Sequence, residues 1–286
     1  MATPQPKSEI EHERKHRVQG VCWADKAAII DKIADFVADE TTHFATLEAA
    51  PHSDGFDKEL VAAARMPFNA RPLHRRIYWA ARDLAGYGNE DAATVEIRLE
   101  HQPAKGNWQQ TVKLGAHRPT EKTLSRREIE SDVAGFAVDL DLLPEDARRD
   151  ANVILGGQLL KPVICLQGQG VPILYHPDGH KDLLFEIKFD KGKGFSFDGE
   201  SCDIVEIEIE LKQQHASADL KEIERLFEKS DDMLYRAFPD QIKRSNESKP
   251  TELFRHLRKW RARDRASFDT AFDALPTDRW ADPAAS

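Results

Sequence analysis

Apolar and polar residues alternate with period two over residues 93–100, 108–114, 126–133, 183–189 and 204–212. Successive side chains on a strand point to opposite faces, so this alternation predicts strands with one apolar and one polar side. The clearest run places Val205, Ile207, Ile209 and Leu211 on one face and Glu206, Glu208, Glu210 and Lys212 on the other. Helical spacing of apolar residues predicts helices over 25–37, 55–66, 217–238 and 251–272, the third opened by a capping signal at Ser217 and Asp219. Turn-forming clusters at 101–107, 191–194 and 197–201 join the strand runs. Connections this short join antiparallel neighbours, because a parallel crossover needs a dozen or more residues. The glycine pairs Gly86/Gly88, Gly168/Gly170 and Gly192/Gly194 read as turns, since none opens a helix after a strand.

The polar faces carry the chemical information. Glu96, Arg98 and Glu100 share a parity, as do Gln109, Thr111 and Lys113, then Arg126, Glu128 and Glu130, then Glu186, Lys188 and Asp190. Carboxylates at alternate positions lie ~7 Å apart on a strand and repel one another unless a cation or facing basic residues compensate. An open sheet would leave these faces in water. A closed antiparallel barrel with a polar lumen and helices outside would collect them around one axis, where carboxylates can hold a divalent cation while Lys and Arg hold polyphosphate oxygens.

Composition narrows the partners. With 41 basic against 50 acidic residues the net charge is −9, which argues against a surface that coats DNA or anionic lipid as a whole. Cys22, Cys165 and Cys202 show no paired spacing, so neither a disulfide framework nor a Cys-x-x-Cys zinc site is expected. Without a leader-like or membrane-length apolar stretch, the expected location is the cytoplasm, with no membrane partner. His12-Glu13-Arg14-Lys15-His16 spells the HExxH string of helical zinc proteases. Its charged flanks and the early Gly20 do not suit a buried metal helix, and the strand reading is preferred. The basic amphipathic stretch around Trp260 is read as a helix packed on the barrel, with RNA contact or a lid over one tunnel mouth as the lesser roles.

Six elements in one order resemble a known family. Glu11-His12-Glu13-Arg14-Lys15 matches an ExExK opening, residues 106–113 (GNWQQTVK) its G-x-W-x-Q-T-[LV]-K strand, and residues 125–130 (SRREIE) its RREIE strand. Residues 160–163 (LKPV), 185–192 (FEIKFDKG) and 204–212 (IVEIEIELK) follow, with Ser248-Lys249 after a helix. Together they resemble the CYTH domain of the triphosphate tunnel metalloenzymes. The resemblance implies an α+β fold built on an eight-stranded antiparallel β-barrel (tunnel) with helices outside. It covers residues 8–250 with an insertion at 38–76, leaving 251–286 as a basic helical extension.

The implied function is divalent-metal-dependent hydrolysis of an inorganic, nucleoside or other organic triphosphate, with Mg²⁺ or Mn²⁺ as cofactor. Carried over by motif, Glu11, Glu13, Asp190, Glu206, Glu208 and Glu210 hold metal or orient water, with Glu11, Glu13 and Lys15 as the catalytic set. Lys15, Arg98, Lys113, Arg126, Lys188 and Lys249 hold phosphates. The partner is a triphosphate-bearing small molecule, with nucleic acid reached only through the C-terminal helix.

This chain departs from the pattern in three places: Tyr78-Trp79-Ala80-Ala81 lacks the family's acid and hydroxyl, Glu96 stands where it has an arginine, and Gln167 and Gln169 stand where it has another. Either the ligand is smaller or less charged, or Arg127, Lys188, Lys212, Lys243 and Arg244 substitute, or the tunnel binds a nucleotide, polyphosphate or phosphorylated partner without turnover. A nucleotide cyclase of the same fold is the remaining alternative.

Overall fold

The computed structural model describes residues 6–18, 73–84, 93–102, 106–116, 124–175, 183–214, 219–245 and 247–282. The helices expected at 25–37 and 55–66, the pair Gly86/Gly88, Cys22 and most of the insertion lie outside the described residues. So do the side chains of residues 7–11, which leaves Glu11 as a backbone position.

Nine strands form one antiparallel sheet: β1 (Lys7–Val18), β2 (His74–Ala81), β3 (Ala93–Gln102), β4 (Asn107–Ala116), β5 (Leu124–Val133), β6 (Leu160–Tyr175), β7 (Leu183–Ser196), β8 (Ser201–Gln214) and β9 (Ile242–Ser245). Their order is β5-β4-β3-β2-β6-β7-β8-β1-β9, with a further pairing of β5 to β1. The first half of β1 runs beside β5, from Lys7↔Glu130 to Glu13↔Leu124, and its second half beside β8, from His12↔Leu211 to Arg17↔Glu206. The sheet is therefore strongly curled, with β1 as its seam. Beyond the eight strands expected, β9 adds a ninth on β1, while β5, which begins the strand order, also pairs with β1.

The helices are α1 (Glu145–Leu155), α2 (Leu220–Ala237), α3 (Thr251–Arg263) and α4 (Arg265–Ala274). Asp219 caps α2 by accepting from the Lys221 amide. The single helix expected over 251–272 is broken at Asp264, which ends α3 and caps α4 through the Ser267 amide. Helix α1 escapes the apolar-period reading because its buried side is mostly alanine: Ala147, Ala151 and Leu155.

Each helix covers one apolar sector of the sheet's outer face. Ile223, Leu226 and Phe227 of α2 pack on Phe185, Ile187, Ile207 and Ile209. The buried side of α1 packs on Val95, Ile97, Leu99 and Val112. Leu253, Leu257, Phe268 and Phe272 of α3 and α4 pack on Val163, Ile164 and Leu166. Each fully buried side chain of this size contributes about 1.5–3 kcal/mol. Buried Lys161 of β6 locks the end of α4, its Nζ donating to the carbonyls of Phe272, Asp273 and Leu275 at 3.0, 2.7 and 2.9 Å. With apolar side chains committed outward, the opposite parity of β3, β4, β5, β7 and β8 faces the concave side. Among the described residues no helix is long and apolar enough to cross a membrane.

Two turn expectations are corrected. Residues 191–194 continue β7, and Gly168 of β6 lies opposite Gly192 of β7. A Cβ on Gly168 would stand 2.6 Å from the Lys191 carbonyl oxygen, and one on Gly192 would stand 2.7 Å from the Gly168 Cα. The glycines serve close approach of two strands rather than chain reversal.

Candidate active site in the curled sheet

A cavity of about 230 Å³ lies on the concave side, lined by β1–β5, β7, β8 and the segment carrying Ser248 and Lys249. Among the described residues eight Lys or Arg and seven Glu line it, interleaved because each strand alternates and neighbours lie in register.

Lys15 stands at the seam, its Nζ 3.1 Å from Glu13 on the same strand and 2.6 Å from Glu208 on β8. Glu13 also accepts from Arg126 Nη2 at 2.8 Å. Lys249 reaches in from the far side, 2.5 Å from Glu208 and 2.8 Å from Asp190. Burial alone would push the Glu208 carboxyl up, but Lys15 and Lys249 outweigh it and hold it well below the usual carboxylate range. Neighbouring Glu206 behaves oppositely: burial, reinforced by the Glu208 charge, pushes it up to about 7 despite Lys249 and Lys15. Its Oε2 is buried without a hydrogen-bond partner among the described residues.

Farther round the wall, Lys113 and Arg98 approach Glu128 at 2.8 and 3.5 Å, and Arg76 pairs with Glu100 at 2.8 Å. Lys212 pairs with Glu210 at 2.7 Å.

Of the residues singled out from sequence, Glu13, Lys15, Arg98, Lys113, Arg126 and Lys188 line this one cavity, as do Glu208, Glu210 and Lys249. Asp190 borders a small side pocket that shares Arg76 and Lys249 with the cavity. Glu206 borders an adjoining cavity of about 200 Å³ with Arg17, Glu252 and Lys249. Glu11 lies opposite Arg126 in the β1–β5 register.

Three suggested substitute cations lie elsewhere: Arg127 turns outward to Asp146 at 2.6 Å, Arg244 pairs with Asp231 beneath α2, and Lys243 is exposed. Arg76 is the cation that the sequence reading missed. Its signal was the alternation His74, Arg76, Tyr78 along β2, hidden because Ile77, Trp79, Ala80 and Ala81 make the rest of that strand read as apolar.

The donor chemistry is carboxylate oxygen, which suits a hard divalent cation, and Glu206 Oε2 is an oxygen with no other partner. Yet Glu13, Glu208 and Asp190 are all held by Lys or Arg, and among the described residues no three Asp, Glu, His or Cys side chains converge as a metal-binding group. The residues therefore suit Mg²⁺ or Mn²⁺ in kind, while internal cations hold most of their oxygens.

No family model and no curated protein matches the chain. Among solved structures it is similar to the PH1819 protein from Pyrococcus horikoshii, at 18% identity and a TM-score of 0.41, covering 86% of this chain and 99% of that one. It is also similar to HpAC1 from Hippeastrum, a protein with a dominant triphosphatase activity, at 13% identity and a TM-score of 0.42, covering 85% and 95%. A third likeness is to the Pct1 RNA triphosphatase of S. pombe, at 11% identity and a TM-score of 0.25, covering 83% and 80%. All three scores lie below 0.5, so the functional reading rests on the residues of the cavity.

Proposed function

We propose that the curled sheet acts as a tunnel that binds a triphosphate-bearing small molecule with a divalent cation and releases phosphate from it. The observation that carries this reading is the polar cavity in which Lys15 and Lys249 each meet one oxygen of Glu208 while further arginines and lysines ring the wall. Among the described residues eight bases face seven acids, so this part of the wall is close to neutral by itself. A ligand carrying four or five negative charges then needs a companion cation, and the cavity's carboxylates are the groups to hold one.

Glu13 and Glu208, which both border the cavity beside Lys15, would hold Mg²⁺ or Mn²⁺, which when bound supplies positive charge against phosphate oxygens. Lys15, Arg126 and Lys249 are placed to donate to those oxygens as developing charge spreads over them. Glu206, with its buried unpartnered Oε2 and a pKa of about 7, is the group suited to take a proton from the attacking water.

The test is release of phosphate from tripolyphosphate, ATP and thiamine triphosphate with Mg²⁺ or Mn²⁺. Metal-dependent turnover that is lost in a Glu13→Gln, Glu208→Gln double variant supports the reading; full activity in EDTA, or in that variant, sinks it. The internal pairing of nearly every carboxylate favours a second reading, a tunnel that binds polyphosphate without turnover. Thermal stabilisation by tripolyphosphate without phosphate release would select it.

A further inference from the structure

Glu96 is a cavity carboxylate whose neighbouring cations all have another acid. It is 7% exposed, faces Lys113 across the β3–β4 register, and shares its strand face with Arg98. Its closest basic partner is Arg126 Nη1, at 3.5 Å. The three surrounding cations each have another acid at equal or shorter range: Arg126 donates to Glu13 at 2.8 Å, and Lys113 and Arg98 approach Glu128 at 2.8 and 3.5 Å. Burial would push the Glu96 carboxyl up, but Arg126, Lys113 and Arg98 more than offset it and hold the group below its ordinary range, so it is ionised at neutral pH.

We infer that Glu96 is an internal anion occupying a phosphate position among Arg98, Lys113 and Arg126, where it competes with the ligand and limits how much phosphate charge the cavity accepts. This rests on the polyphosphate reading above and makes that ligand's charge its subject. Two oxyanions cannot share one group of cations without mutual repulsion in a buried site, so an entering phosphate must take these donors from Glu96. A carboxylate that merely braced the wall would sit at hydrogen-bond distance, as Glu13 and Glu128 do. Removing Glu96 therefore strengthens anion binding, whereas removing a brace weakens it.

The experiment is calorimetric titration of the full-length wild-type chain, Glu96→Gln and Glu96→Ala with inorganic tripolyphosphate and pyrophosphate, with folding followed by circular dichroism. With the competing carboxylate gone, both variants are expected to bind tripolyphosphate about tenfold tighter or more, with a smaller gain for pyrophosphate. Tight binding that appears only in the variants supports the inference equally. Wild-type binding with equal or weaker binding by folded variants overturns the inference and leaves the polyphosphate reading standing. No binding by any of the three overturns both. Loss of fold in both variants would overturn the inference by showing that Glu96 is a structural brace.

Discussion

Strand β1 buries charge on both of its faces, and the two faces use it differently. Outward, Arg14 is fully buried, donating to Asp231 and Glu224 of α2 at 2.6 Å each while its guanidinium lies 5.2 Å from the Phe227 ring centre. His16 beside it is buried too, 3.1 Å from Asp231 and edge-on to Tyr235. Inward, Glu13 and Lys15 face a cavity, and Lys15 is shared between two carboxylates. The outer cluster lies beneath a helix, with Glu224 half exposed. The inner cluster borders space that a ligand can enter, so its partners can be exchanged.

The difference also explains how β1 is seated. Residues of both parities in Glu11-His12-Glu13-Arg14-Lys15-His16-Arg17 are polar, so hydropathy alone does not define which face turns inward. The pairing of Arg14 with α2 supplies that definition and thereby aims Glu13 and Lys15 at the cavity.

The largest expected effect breaks the outer face. Arg14→Ala removes a fully buried guanidinium from Asp231, which keeps Arg244 and His16, and from half-exposed Glu224, and should cost about 3 kcal/mol in denaturant unfolding. A loss below about 1 kcal/mol would show that the outer cluster is not the anchor of β1. On the inner face, Lys15→Met should cost less, about 1–3 kcal/mol, yet weaken tripolyphosphate binding about tenfold or more in the same titration. Equal losses of stability for the two variants would erase the distinction between the faces.

The glycines of the β6–β7 pair sharpen it further. Gly192→Ala meets backbone and should destabilise by about 2–3 kcal/mol. A Cβ on Gly170 would meet only side-chain atoms, Asp190 Oδ1 at 2.6 Å and Lys188 Cε at 2.7 Å. Gly170→Ala is therefore expected to unfold within about 1 kcal/mol of wild type while weakening tripolyphosphate binding, because Lys188 and Asp190 must move. The reverse ranking of stabilities would contradict this placement.

The same outer face is also read in pH. Burial, with help from Arg244 and Arg14, lowers His16 to about 3, so it is neutral in the folded chain. The unfolded chain takes up that proton below pH ~6.5, and its contribution to stability is lost as pH falls from there toward 3. Stability curves of wild type and His16→Gln should converge or cross as pH drops from 7 to 4; parallel curves would show that His16 titrates freely.

Much of this arrangement was legible in the sequence. Strands β3, β4, β5 and β8 show clean alternation because one face meets a helix and the other meets charge. Strand β6 did not, because Pro162, Gly168, Gly170 and Pro172 interrupt the pattern and its glycines serve close packing against β7. The inward acids and bases could be named from parity. Their pairing could not, since it depends on which strands become neighbours: Lys15 meets Glu208 across 193 residues of chain. Glu96 stood out only as a carboxylate where a cation was expected, and its competition with phosphate needed the positions of Arg98, Lys113 and Arg126.

The most direct measurement is titration of the full chain with tripolyphosphate, with and without Mn²⁺, followed by heat and by phosphate release. Binding that Mn²⁺ strengthens and Lys15→Met weakens, with release only when metal is present, is the expected result. A wild-type chain that neither binds tripolyphosphate nor releases phosphate in Mn²⁺, and that gains no binding on Glu96→Gln, would contradict the assignment of this cavity as a polyphosphate site.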